Sequence, residues 1–132
     1  MRWTLLVAVL MLCACGERGA SNAAVEGDSA AAAAPTTEVV LVTVDDTSLV
    51  LSMDIVPAGP VSFLVSNRAD TRHSLRIQSV ADSWDVSNIM GGQDATLLVD
   101  LSPGIYELFC PDLDADGSHA SRGLYARLVV TE

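Results

Sequence analysis

The chain has 132 residues and a mass of 13.8 kDa, room for one domain and an accessory segment. Seventeen acidic residues face seven basic ones, all of them arginine, and the net charge is −10. That surface repels phosphate backbones and excludes nucleic acid as a partner class, while the apolar half of the composition is inflated by a leucine-rich start and an alanine-rich stretch, so the chain as a whole is not a membrane protein.

The first predicted element is an address. Met1-Arg2-Trp3 carries one positive charge, and an apolar run follows to Ala14. Counted from Leu5, that run is about 15 Å long as a helix, against roughly 30 Å of hydrocarbon, so it cannot span a bilayer. Leu12-Cys13-Ala14-Cys15-Gly16 resembles a bacterial lipobox, with an apolar residue at −3, a small residue at −1 and a cysteine at the cut. The resemblance implies a signal peptide over residues 1–15, a lipidated Cys15, and a membrane contact through that lipid, facing the periplasm of a bacterial envelope. Gly16-Glu17 follows without an aspartate, which favours the outer membrane over the inner. A plain secretory signal cleaved nearby is the alternative. Residues 16–37, rich in Gly, Ala, Ser, Glu and Pro and without aromatic residues, read as a flexible tether.

Residues 38–132 read as an all-β domain. Short apolar runs rich in β-branched residues alternate with polar, Gly and Pro breaks: Val39–Val44, Ser48–Met53, Val61–Ser66, His73–Ile77, Ala95–Asp100, Ile105–Phe109 and Leu124–Val130. About seven antiparallel strands in two packed sheets with Greek-key connections are predicted. The period of two puts Phe63, Val65, Leu75, Ile77, Leu98, Tyr106, Leu108, Leu128 and Val130 inside, and Trp84 joins them. Val80–Asn88 is the least regular stretch, with room for one turn of helix.

This domain holds one cysteine, Cys110, and two histidines, His73 and His119. Cys110 ends a strand, His119 follows nine residues later in a loop, and His73 opens a strand far upstream. Taken singly, each reads as an ordinary core thiol or a surface histidine. Together they form a borderline-soft donor set, and an unpaired thiol in an oxidising compartment has a physical reason to persist as a metal ligand.

At these residues the sequence resembles the cupredoxins, the small blue-copper proteins. Val61–Asn67 followed by His73–Ile77 looks like that family's strand ending in asparagine before the first ligand histidine. Leu101-Ser102-Pro103-Gly104-Ile105-Tyr106-Glu107-Leu108-Phe109-Cys110-Pro111 resembles its Pro-Gly turn, aromatic strand and ligand cysteine, and His119–Leu124 its second histidine and axial position. The resemblance covers about residues 38–132. It implies a cupredoxin-like Greek-key β-sandwich with one mononuclear copper on His73, Cys110 and His119, the second histidine ring near solvent as the electron's exit, and a carrier rather than an enzyme. A redox partner protein or a copper-trafficking protein is the implied partner.

Two departures set the chain apart. The axial methionine position falls on Leu124, a weak, non-coordinating side chain, and losing a sulfur donor disfavours Cu(II) and raises the potential; Met53 and Met90 are the remaining thioethers in the domain. The loop between Cys110 and His119 is eight residues, where the family pattern has two to four, and so reads as less constrained. It also spells Asp112-x-Asp114-x-Asp116-Gly117, the opening of an EF-hand calcium loop, but the twelfth position is Gly123 rather than glutamate. The reading is therefore single-electron transfer at a membrane surface. The alternatives are a copper chaperone or buffer without redox relay, and a metal-free interaction domain.

Overall fold

The computed structural model describes residues 34–132; Cys15, the apolar run before it and residues 16–33 lie outside the described residues. The elements in chain order are β1 (Glu38–Val44), β2 (Leu49–Leu51), β3 (Ile55–Pro57), β4 (Gly59–Asn67), β5 (His73–Gln78), β6 (Ser83–Ile89), β7 (Asp94–Leu101), β8 (Gly104–Phe109), β9 (Leu113–Asp114), β10 (Gly117–Ser118), a single 3-10 turn at Ala120–Arg122, and β11 (Tyr125–Thr131). They form a two-sheet sandwich, the all-β architecture that the alternating pattern predicts. One sheet has the order β2-β1-β4-β7, the other β3-β11-β8-β5-β6, and β9 and β10 make a separate small hairpin.

Period-two burial explains why these segments are strands. Val40, Val42 and Val44 of β1, Val61, Phe63 and Val65 of β4, and Val99 and Leu101 of β7 face Leu75, Ile77, Tyr106, Leu108, Leu128 and Val130 from the other sheet. Each large side chain fully withdrawn from water contributes about 1.5–3 kcal/mol. Among the described residues the core cluster runs from Val40 to Val130, and Ala32–Glu132 clusters as a compact unit of its own.

Three details differ from the sequence expectation. Val80–Asn88 contains no helix but holds most of β6, an edge strand in which Ser83, Asp85 and Ser87 face solvent while Trp84 and Val86 are half-buried against the core; its polar outer face and the left-handed Asn88 (φ 61°) hide the alternation. Leu98 is 65% exposed, because β7 turns Ala95, Leu97, Val99 and Leu101 inward. Trp84 therefore packs against the core without being fully enclosed, and Leu98 is off by one position. Two strand pairs are parallel rather than antiparallel, β1 with β4 and β3 with β11, because the chain crosses to the second sheet at β3 and returns to the first beside β1.

The sandwich brings one set of strand ends together. β5 begins with His73, β8 runs out at Cys110, and β11 begins just after Leu124; the Cys110 N–H donates to the Leu124 carbonyl at 3.1 Å. Gly123 has φ +114°, and a Cβ there would run into the Thr47 carbonyl oxygen. Gly123→Ala should therefore lower the unfolding free energy by about 2 kcal/mol or more, strain plus the displaced Thr47 backbone. Urea denaturation monitored by Trp84 fluorescence checks this, and an unchanged midpoint would mean that the turn takes another path.

Candidate metal centre

Four polar side chains are buried at this end of the sandwich: Asn67, His73, Ser74 and His119. Asn67, fully enclosed at the end of β4, explains how His73 is placed. Its Nδ2 donates to the Thr71 and Ile89 carbonyls, both at 2.8 Å, and its Oδ1 accepts the Ala69 N–H at 3.0 Å. One side chain thus ties the 68–72 loop to the end of β6 and fixes the entry into β5. Gly91 closes the other side of this loop, since a Cβ there would meet the Ala69 and Asp70 carbonyls at 2.6 and 2.7 Å.

His73, Cys110 and His119 converge. Their ligand atoms lie within 4.8 Å of one another, and all three residues are buried; among the described residues no other set of three His, Cys, Asp or Glu gathers in this way. The His73 Nδ1 is 3.0 Å from the His119 Nδ1, and the Cys110 Sγ is 3.6 and 3.5 Å from those two nitrogens. The point equidistant from the corners of such a triangle is about 2.0 Å from each, close to a metal–imidazole bond of about 2.0–2.1 Å and slightly under a metal–thiolate bond of about 2.3 Å. The donor set therefore fits a metal ion.

Hydrogen bonds on the far side of each ring decide what the near side offers. The Asp114 carboxylate lies 3.0 Å from the His119 Nε2 and can only accept, so it takes a proton carried on that nitrogen. The Thr71 hydroxyl donates to Asp46 at 3.0 Å, which leaves its oxygen to accept from the His73 Nε2 at 3.2 Å. With both rings protonated on Nε2, two Nδ1 lone pairs face each other across 3.0 Å, an arrangement that needs a cation between them. The sulfur is prepared in the same sense: the Ser74 N–H points at the Cys110 Sγ at 3.4 Å. Burial nevertheless pushes the Cys110 thiol above its usual range, and burial, then the neighbouring His119, pulls His73 below its own. The dry Cys110 thiol and the dry His73 ring resist ionising until a cation supplies the compensating charge.

The eight-residue loop is not slack. Its Leu113 and Ser118 pair in the β9–β10 hairpin, the His119 N–H donates to the Asp112 carbonyl at 3.1 Å, and the Ser74 hydroxyl donates to the Asp112 carboxylate at 3.0–3.1 Å. Asp112 is committed to Ser74, and Asp114 to His119 and Arg122, so the acids of the EF-hand-like string do not converge on a common point. His119 is 6% exposed with its Nε2 covered by Asp114, and so does not present that ring edge to solvent as the family pattern implied. Leu124 is fully buried, its N–H donating to the His119 carbonyl at 3.2 Å. Met90 is half exposed and lines a shallow depression with His119, Thr71 and Asp114; Met53 lines a different one, beside Leu49 and Ala126.

Sequence reasoning missed the roles of Asn67's three bonds, Thr71 and Asp114. For Asp114 a partial signal existed: Asp116-Gly117 marks a tight turn, and the structure turns one residue earlier, on Ala115-Asp116, which sets residue 114 beside 117.

Neither a protein-family model nor a curated protein matches the sequence. Solved structures do. A dithionite-reduced auracyanin from the photosynthetic bacterium Roseiflexus castenholzii superposes with a TM-score of 0.58 at 14% identity, over 75% of this chain and all of that one. The chain has the cupredoxin fold. Auracyanin B superposes with a TM-score of 0.56 at 14% identity, over 75% of this chain and 93% of that one. A copper nitrite reductase from Nitrosomonas europaea overlaps less, with a TM-score of 0.47 at 15% identity over 73% and 41% of the two chains. In this cupredoxin fold the His-Cys-His cluster sits where strand ends and the 110–119 loop meet.

Asn67→Ala should cost about 3 kcal/mol, because the buried Ile89 carbonyl, the partly buried Thr71 carbonyl and the Ala69 N–H lose their partner. Urea denaturation gives the figure, and amide exchange at Ala69 should accelerate; a loss below about 1 kcal/mol would mean that water restores the three bonds.

Proposed function

We propose that the chain is a mononuclear copper protein whose ligands are the His73 Nδ1, the Cys110 Sγ and the His119 Nδ1, and that it carries single electrons in the bacterial envelope. The carrying observation is the buried donor triangle with sides of 3.0, 3.5 and 3.6 Å, each imidazole bonded at Nε2 and offering Nδ1. Two imidazoles and a thiolate suit copper, which when bound supplies one-electron exchange between Cu(I) and Cu(II). The protein's residues do the rest. Asn67 holds His73 at the start of β5 and the β9–β10 hairpin holds His119, the Ser74 N–H steadies the sulfur, and Leu124 with the adjoining core keeps water from the buried side. The likeness to auracyanins supports the fold on which this site is built.

A second reading has its own observation. Asp114 covers the Nε2 of His119, the ring edge that would otherwise open to a partner, and this favours copper holding without relay. One equivalent of Cu(II), and in a separate sample one equivalent of Cu(I) kept reduced with ascorbate, added to the Ala32–Glu132 unit separate the two. An intense visible band with narrow copper hyperfine splitting in the Cu(II) sample, abolished in Cys110→Ser, is the expected result for the carrier. A protein that gives no such band with Cu(II) but keeps one Cu(I) supports the holding role, and a protein that retains copper in neither sample overturns both.

We also propose that Cys15 is lipidated and that the segment 16–37 tethers the domain to a membrane, which raises its effective concentration near partners there. Support is the Leu12-Cys13-Ala14-Cys15 string after an apolar run too short to span. Cys15→Ala should move the chain from the membrane fraction to the soluble one on cell fractionation; retention in the membrane would refute the anchor.

A further inference from the structure

The 110–119 loop is longer than the fold's ligand pattern requires, and its extra residues build something definite. The β9–β10 hairpin folds Asp114 back across the outer edge of the second histidine ring. The carboxylate is itself fixed from three sides: the Arg122 guanidinium donates to its Oδ2 at 2.6 Å, the Asp116 N–H donates to its Oδ1 at 2.9 Å, and the His119 Nε2 lies 3.0 Å from the Oδ2. Arg122 is on the 3-10 turn directly after His119, so ring, carboxylate and guanidinium belong to one short stretch of chain that closes on itself. Paired with the Arg122 guanidinium, the Asp114 carboxylate offers only acceptor oxygens.

We propose that Asp114 is a positioning residue for the cluster: with Arg122 behind it, it holds His119 in the tautomer that carries its proton on Nε2, so that the Nδ1 lone pair points at the Cys110 sulfur and the His73 ring. The inference deepens the copper reading and rests on it for the identity of the metal only, since the tautomer is a property of the protein alone. A carboxylate behind a ligand imidazole fixes ring orientation and increases the basicity of the ligating nitrogen, and loss of such a partner costs 10–100-fold in metal affinity. The relay on His73 is weaker by construction, because Thr71 stands between that ring and Asp46, whose carboxylate is largely exposed.

The test uses the Ala32–Glu132 unit, which carries the whole core. Nitrogen-15 correlation spectra of the metal-free protein report the tautomer of each histidine, and titration with Zn(II), a redox-silent probe for the same donors, reports affinity. In the parent protein His119 should be wholly in the Nε2–H form. In Asp114→Ala the Nδ1–H form should appear and zinc affinity should fall about 10–100-fold, while Asp116→Ala, which removes a carboxylate of the same charge from the same loop, should change neither. Retention of the Nε2–H form in Asp114→Ala, or an equal loss of affinity in Asp116→Ala, overturns the proposal. If Asp114→Ala disrupts the hairpin, Asp114→Asn, which keeps the size and the Asp116 contact, is read the same way, with a smaller loss expected. A parent protein that binds neither zinc nor copper defeats the copper reading, and the tautomer spectra still decide the role of Asp114.

Discussion

Two imidazole nitrogens 3.0 Å apart, with a sulfur 3.5–3.6 Å from both, form an unfavourable arrangement unless positive charge lies among them. Lone pairs at that distance repel, and burial removes the water that would otherwise screen them. The rest of this end of the molecule is organised to hold that arrangement in place. Asn67 locks the loop before His73, the Leu124 carbonyl receives the Cys110 N–H, and Asp112 accepts from both His119 and Ser74. Each bond is modest alone, about 0.5–1.5 kcal/mol net, but a network in a low-dielectric interior resists rearrangement more than separate bonds do.

The sandwich supplies the rigidity that makes such preorganisation possible. His73 and Cys110 stand at the ends of β5 and β8, strands paired through Arg76 to Phe109, and β11 flanks β8 from Tyr125 onward. A ligand on a strand end inherits the position of the whole sheet, whereas one on a free loop does not. His119 is the exception, since no strand of either sheet carries it. The β9–β10 hairpin and the 3-10 turn take the place of a strand there, and this is why the longest departure from the ligand pattern is also the most densely hydrogen-bonded segment of the site.

The sandwich and the side chains that gather into the buried cluster, His73, Cys110 and His119, were legible in the sequence because both are written in residue type. Alternating Val, Leu and Phe at period two announces a sheet face, and a domain with one cysteine and two histidines leaves little choice of soft donors. What was not legible depends on partners distant in sequence. Ser83–Ile89 hides its strand because most of its outer face is polar and only Trp84, Val86 and Ile89 turn toward the core. Leu98 was misplaced because Leu97-Leu98-Val99 is an unbroken apolar run, in which the period of two has no phase until the sheet sets it. The string Asp112, Asp114, Asp116 looked like a calcium loop for a related reason: carboxylates advertise charge but not direction, and here two of them point at Ser74, His119 and Arg122 instead of at a common centre.

Leu124 and Asp114 pull the proposed copper site in opposite directions, and their balance sets what the site can do. If copper is held there, a leucine at 124 in place of a sulfur donor would withdraw support from Cu(II) and raise the potential. A carboxylate behind His119 returns electron density through the ring to Nδ1 and supports the more highly charged ion. Arg122 limits that effect by sharing the same oxygen at 2.6 Å, so the charge delivered to the imidazole is less than that of a free carboxylate. Asp114 and Arg122 also restrict access, because a ring edge engaged by them is not free to meet a partner's surface. In the proposed carrier role, exchange of an electron through His119 would require either a partner that accepts the acidic hairpin as part of its docking surface or a hairpin that swings aside. A basic partner would meet the first condition without any movement of the protein, and the net charge of −10 would draw such a partner to the surface from a distance.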